Sequence, residues 1–169
     1  MRKWIVIFLV TFPACISLAQ VPLFQHYSLL KRNESIQVNV IFQDRSGYVW
    51  CGTNQGLFRM DGVNTVHYDV HDSLPDNHVT AIAQDSIGRI WTGHRNGQLA
   101  FVEHNRVTVF KPGEGNSDHE VSDIIFDRDG ILWFSTLDDG LYYYNRNNRL
   151  IRVAEQDGMP DLFVYDLVE

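Results

Sequence analysis

From Val38 onward, apolar and polar residues alternate with a period of two, in short runs separated by clusters of Asp, Gly, Asn and Ser. That pattern places one side of each run on a core and predicts strands joined by tight turns. The stretch after Val79 is the clearest, with strands expected at Val79–Ala83, Arg89–Gly93, Gln98–Val102 and Arg106–Phe110. Asp85-Ser86-Ile87-Gly88 joins the first two. Asp at the first position and Gly at the fourth is a type I turn signature, because the carboxylate accepts local backbone N–H groups and Gly tolerates positive φ. The arrangement is written three times, as Val38-x5-Asp44-x2-Gly47-x2-Trp50, Val79-x5-Asp85-x2-Gly88-x2-Trp91 and Val121-x5-Asp127-x2-Gly130-x2-Trp133. A fourth copy opens at Val164, one residue short of its Asp at Glu169.

A repeat of about forty residues made only of strands and turns is the signature of a β-propeller blade. The expected fold class is all-β: β-propeller blades, each a four-stranded antiparallel sheet, in a partial propeller of about three blades plus orphan strands at both ends. The blades fall at 38–78, 79–120 and 121–163, between a strand of an incomplete blade in 20–37 and the start of a truncated blade at 164–169. Trp50, Trp91 and Trp133 follow apolar Val49, Ile90 and Leu132 and are assigned to packing between stacked sheets. Asp44, Asp85 and Asp127, with Gly47, Gly88 and Gly130, are assigned to turns. Asp61-Gly62 is expected to form a two-residue hairpin in the first blade, and Asn145 to Asn148 a longer one in the third. Tyr27, Tyr68, Phe110 and Val153 each stand eleven residues before a repeat Val, so Phe24 to Ser28 reads as a fourth strand without its own first three. In many propellers such a strand completes the last blade and removes a free edge. The chain is therefore expected to be the opening piece of a longer protein.

Composition changes this picture in two places. Arg2 and Lys3, the largely apolar stretch Trp4 to Leu18 and the small residues Ser17 and Ala19 have the layout of a signal peptide over 1–19. Export to the periplasm is the expected localisation. The net charge of −7 becomes two units more negative once Arg2 and Lys3 are removed. An acidic surface of that kind disfavours nucleic acid and anionic membranes as partners. Cys51 alone remains beyond the leader, which excludes an intrachain disulfide and a thiolate metal site there.

Candidate chemistry lies where the copies disagree. His67, Asp69 and His71 alternate and would share a strand face as metal ligands, but they occupy an ordinary fourth-strand position running into a blade connection, and no metal is expected. His94-Arg95-Asn96 interrupts the repeat in the second blade, and a broken local rule is where ligand contact is expected. Asp138 and Asp139, beside Tyr142-Tyr143-Tyr144, have the chemistry to bond and stack on a sugar, although alternation turns Tyr143 to the opposite face from its neighbours. The ligand-binding candidates are thus His94, Arg95, Asn96, Asp138 and Asp139.

These residues resemble the two-component regulator propeller repeat family. Leu74-Pro75-Asp76-Asn77-His78-Val79, leading to Asp85, Gly88, Trp91 and Gly93, matches one part of its pattern, and Trp50-Cys51-Gly52-Thr53-Asn54-Gln55-Gly56-Leu57 matches the other. The likeness covers nearly all of the chain after the leader, with departures at His94, Gln98, Ser135 and one extra residue before Gly140. It implies the periplasmic sensor region of hybrid two-component and histidine kinase systems, many of which sense oligosaccharides. The function expected is an N-terminal fragment of an extracytoplasmic sensor domain that binds a small, glycan-derived ligand, with the remainder of a longer sensor kinase as its partner. No enzyme activity of its own and no cofactor are expected, the kinase residing in the complete parent, and membrane attachment is expected only through a downstream segment. The alternative is a structural or protein-interaction propeller that closes by oligomerising through its open sheet edges. A glycan-cleaving propeller of the sialidase type fits less well, since its Asp box spaces Asp and Gly by one residue and this chain by two.

Overall fold

A computed structural model describes residues 35–111, 117–145, 147, 149–153, 158 and 163–168. Among these residues twelve strands form three four-stranded antiparallel sheets. The first holds β1 (Val38–Gln43), β2 (Val49–Thr53), β3 (Gly56–Met60) and β4 (Thr65–Tyr68). The second holds β5 (Val79–Gln84), β6 (Ile90–His94), β7 (Leu99–Glu103) and β8 (Arg106–Val109). The third holds β9 (Val121–Phe126), β10 (Leu132–Thr136), β11 (Gly140–Tyr144) and β12 (Leu150–Val153). Each sheet is a meander in sequence order, and the three do not close into a ring. The expected strands are reproduced to within a residue or two, because alternation, turn chemistry and burial agree at each one. The leader at 1–19 and the strand expected at Phe24–Ser28 lie outside the described residues.

The repeated Asp does more than shape its turn. In each blade its Oδ1 accepts backbone N–H groups of the turn while Oδ2 accepts the indole N–H of the repeat Trp. Those indole bonds run Trp50 to Asp44 at 2.8 Å, Trp91 to Asp85 at 2.9 Å and Trp133 to Asp127 at 2.9 Å. The Gly closes the same turn, with Gly47, Gly88 and Gly130 at φ of +89°, +96° and +75° donating to the Asp carbonyl. A carboxylate fixed by its own turn thus anchors the largest ring of the blade. Burial would raise the Asp85 carboxyl, but bonds from Trp91 and Arg89 outweigh it and hold it below the usual range. Across the β2–β3 ladder and its equivalents each Trp faces one partner, Arg59, Phe101 or Tyr143, whose guanidinium or ring lies against the indole.

Blades stack through their first strands, β5 lying between β1 and β9. The approach is close enough to require Gly on β2 and β6. A Cβ on Gly52 would meet Val79 Cγ1 at 2.8 Å, and one on Gly93 would meet Val121 Cγ1 at 2.5 Å. The preceding blade therefore buries the repeat Val of the next. Val79 and Val121 are 0% exposed, while Val38, with no described blade before it, is 43% exposed. Ile41 is 67% exposed for the same reason, against 6% and 2% for its counterparts Ile82 and Ile124.

Two details differ from expectation. The β3–β4 hairpin of the first blade turns one residue later than Asp61-Gly62: the Asp61 N–H bonds the Asn64 carbonyl at 3.2 Å, leaving Gly62 and Val63 at the tip. Backbone bonds from Asn64 and Val63 draw Asp61 into this role and hold its carboxyl at about 2. Residues 163–168 form no ladder, because the second strand that would pair with a first strand is not present among the described residues. Val164 nevertheless takes the place of the next repeat Val: its N–H reaches the Thr136 carbonyl at 3.4 Å, and its carbonyl accepts the Ser122 hydroxyl.

Candidate functional site

One bond, made three times, builds the candidate site. The residue that follows β2, β6 or β10 turns its N–H onto the carbonyl of the residue just before the first strand of the same blade. These pairs are Asn54 to Gln37 at 3.1 Å, Arg95 to His78 at 3.0 Å and Leu137 to Glu120 at 3.1 Å. They fix Gln37, His78 and Glu120 at one end of the three inner strands. One step inside lie Asn39, Thr80 and Ser122, with Tyr165 at the same repeat position beyond them. Together with Val38, Val121 and Leu137 these residues line an open cleft of about 410 Å3 along the propeller axis. That volume lies in the range of small-ligand sites.

The lining is polar, and its groups are not equally free. Asn39 Nδ2 donates to the Val79 carbonyl at 2.9 Å, and Ser122 donates to the Val164 carbonyl while lying 2.8 Å from Ser135 Oγ. Those side chains are used in joining one blade to the next. The Thr80 hydroxyl occupies the equivalent place, is buried and has no hydrogen-bond partner. Glu120 is the one carboxylate of the lining, with Arg95 Nε at 3.8 Å, and no Lys or Arg lines the cleft among the described residues.

The residues singled out from the sequence fall at the same end of the blades, in the β6–β7 and β10–β11 turns, with one exception in exposure. His94 is fully buried at the end of β6. Its Nδ1 is 2.8 Å from the Asp76 carbonyl and its Nε2 is 2.9 Å from Thr92 Oγ1, so the neutral ring donates through Nδ1 and accepts through Nε2. Burial pushes its pKa down to about 4. The expectation that His94 offers itself to a ligand is therefore corrected: the side chain takes the inward place of Thr53 and Thr136, whose hydroxyls donate to Gly56 and Gly140 carbonyls at 2.8 and 3.1 Å. Arg95 is exposed and reaches Glu120. Asn96 is exposed and holds the blade connection, its Nδ2 donating to the Pro75 carbonyl at 3.1 Å.

In the third blade Asp138 accepts from His119 Nδ1 at 2.8 Å. Asp139 is bound by Arg152 Nη2 at 2.5 Å and by the Tyr142 hydroxyl. Burial first, and then Asp139, raise the Tyr142 pKa. Tyr142 and Tyr144 are buried in the core and Tyr143 lies on the other face against Trp133, as alternation requires. The His67, Asp69 and His71 set does not converge. Strand β4 ends at Tyr68, His67 stacks on Phe58 with centroids 4.2 Å apart, and Asp69 caps a 3-10 turn at Val70–Asp72. No group of metal-ligating side chains occurs among the described residues.

The cleft positions escaped the sequence reading because they sit on strand starts rather than in loops. Their signal was present as the residues flanking each repeat Val: Gln, His and Glu before it, and Asn, Thr, Ser and Tyr after it.

Meander blades bolted by Asp–Trp bonds and stacked through their first strands define a β-propeller repeat protein. Residues 73–96 and 115–138 match the family described as Two component regulator propeller, so these two segments carry that family's repeat. Among solved structures the chain is similar to the extracellular domain of a putative hybrid two component system from B. thetaiotaomicron, at 30% identity and a TM-score of 0.66 over 81% of this chain. It spans 19% of that longer chain. It is also similar in fold to the extracellular domain of a putative one component system from B. thetaiotaomicron, at 23% identity and TM-score 0.63 over 78% of this chain and 18% of that one. Virginiamycin B lyase from Staphylococcus aureus shares the fold at 15% identity and TM-score 0.55, over 67% of this chain and 40% of the lyase. No curated protein matches.

Proposed function

We propose that this chain is propeller blades from an extracytoplasmic, periplasmic sensor domain of a two-component signalling protein, and that its axial cleft receives a small glycan-derived ligand. The observation that carries the reading is the cleft itself. It gathers positions at which the blades differ and gives them amide, hydroxyl, imidazole and carboxylate groups. Neutral hydrogen-bonding groups beside one aromatic residue, Tyr165, are the chemistry that recognises a sugar through its hydroxyls and its apolar ring face. The likeness to the extracellular domain of a hybrid two component system supports the sensor role, and the leader-like first nineteen residues support export. In this reading the chain is part of a longer protein whose remaining modules relay occupancy of the cleft to a kinase. Arg95, Asn96, Asp138 and Asp139 form the rim over which the ligand enters.

Isothermal titration of the full chain against a panel of short oligosaccharides tests the reading. Heat with at least one member is the expected result, and no heat with any member sinks it.

A second reading, self-association through an open blade face, is favoured by the bare Val38 and Ile41 surface. Sedimentation that stays monomeric across the accessible concentration range removes it.

A further inference from the structure

The charges around the cleft narrow the ligand. Among the described residues of the lining, Glu120 carries the one formal negative charge, while the polar remainder consists of Gln37, Asn39, His78, Thr80, Ser122 and Tyr165. Cations do stand at this end of the blades, yet the nearest ones are engaged. Arg95 sits 3.8 Å from Glu120, Arg152 is bound to Asp139 at 2.5 Å, and His119 lies 2.8 Å from Asp138 and 3.6 Å from Asp139. An incoming carboxylate or sulfate thus meets one acid within the cleft, faced by Arg95 from outside the lining, and, among the described residues, no Lys or Arg that lines the cleft. Recognition of a uronate or sulfated sugar ordinarily needs a forked guanidinium or a free ammonium for its anion. A hydroxyl needs only donors and acceptors of the kind present.

Resting on the sensor reading above, we infer that the axial cleft selects neutral saccharides over anionic ones, with Glu120 as the selecting charge. Glu120 accepts from sugar hydroxyls and repels a carboxylate at the same place.

The test compares probes of equal length on the full chain by isothermal titration at low salt. Neutral hexasaccharides of xylose, mannose, glucose and galactose form one arm, and a galacturonate hexamer forms the other. At least one neutral hexamer is expected to bind about tenfold or more tightly than the galacturonate hexamer, the gap narrowing in high salt. Glu120→Gln is expected to raise galacturonate affinity by about tenfold. Circular dichroism checks that the variant keeps its fold, and the salt dependence of the wild-type chain carries the test should Glu120→Gln fail to fold. Galacturonate binding equal to or tighter than every neutral hexamer overturns the selectivity and leaves the sensor reading standing. Binding by none of the probes overturns the sensor reading beneath it.

Discussion

His94 offers a quantitative check on the packing of the second blade. The ring is fully buried with both nitrogens bonded inside the chain, and its pKa falls from 6.5 to about 4. As pH drops below 6.5, the unfolded chain takes up a proton that the folded ring refuses. Stability is therefore intact above 6.5, declines through this window and levels off below about 4. A gap of about 2.5 pH units at about 1.4 kcal/mol per unit amounts to a loss of about 3 kcal/mol. His94→Thr installs the residue found at Thr53 and Thr136 and removes this penalty. It also empties part of a packed site and takes the donor from the Asp76 carbonyl, at a cost of about 2 kcal/mol. The wild-type chain should then be the more stable of the two by about 2 kcal/mol at pH 7.5, and the less stable by about 1 kcal/mol at pH 4. Urea unfolding followed by tryptophan fluorescence at several pH values measures both. Effects of other acids are common to the two proteins and drop out of the difference. A difference that stays constant with pH, or that grows in favour of wild type on acidification, refutes the buried neutral ring.

Two comparisons address the joints of the blades. Gly93→Ala drives a Cβ to 2.5 Å from Val121 Cγ1, whereas Gly130→Ala meets nothing within 4 Å and strains only its φ of +75°. Thermal unfolding should register a loss of about 3 kcal/mol for the first and about 1 kcal/mol for the second. Asp85→Ala removes a buried carboxylate from Trp91 and from Arg89, which lies 2.5 Å away. It should cost about 3 kcal/mol, against about 1 to 2 kcal/mol for Asp127→Ala at the half-buried Trp133, by chemical denaturation. Equal losses would mean that burial does not set the strength of the Asp–Trp bolt.

The strands were legible because two independent signals coincide in them, a period-two apolar pattern and an Asp-to-Gly turn, and tertiary packing then asks for nothing different. The second role of Asp44, Asp85 and Asp127 was hidden. Six-residue spacing to Trp is equally compatible with a turn that never touches the ring, and only the twist of the hairpin brings carboxylate and indole together. At His94 the broken repeat was visible but its direction was not. The position shares its strand face with buried Thr92, so register sends the new side chain inward, and a change of residue type there altered the core rather than the surface. Arg95, Asn96, Asp138 and Asp139 stood out in the sequence because turns advertise polar substitutions. Glu120 and Thr80 were passed over because inner strands are expected to be apolar, and a polar residue there looks like noise until three strands are seen to converge.

The Asp–Trp bolts and the N–H ties to Gln37, His78 and Glu120 sit at opposite ends of the same strands. At the bolted end, every copy must keep the same three residues. At the tied end, the bond is made entirely by backbone, so the side chains at 37, 78 and 120 are free to change without loosening the frame. A separation of that kind lets the lining at the tied end be rewritten by a handful of substitutions while folding is inherited unchanged. Frame and lining are in this sense independent, and a library confined to Gln37, His78 and Glu120 is expected to keep the fold in every member.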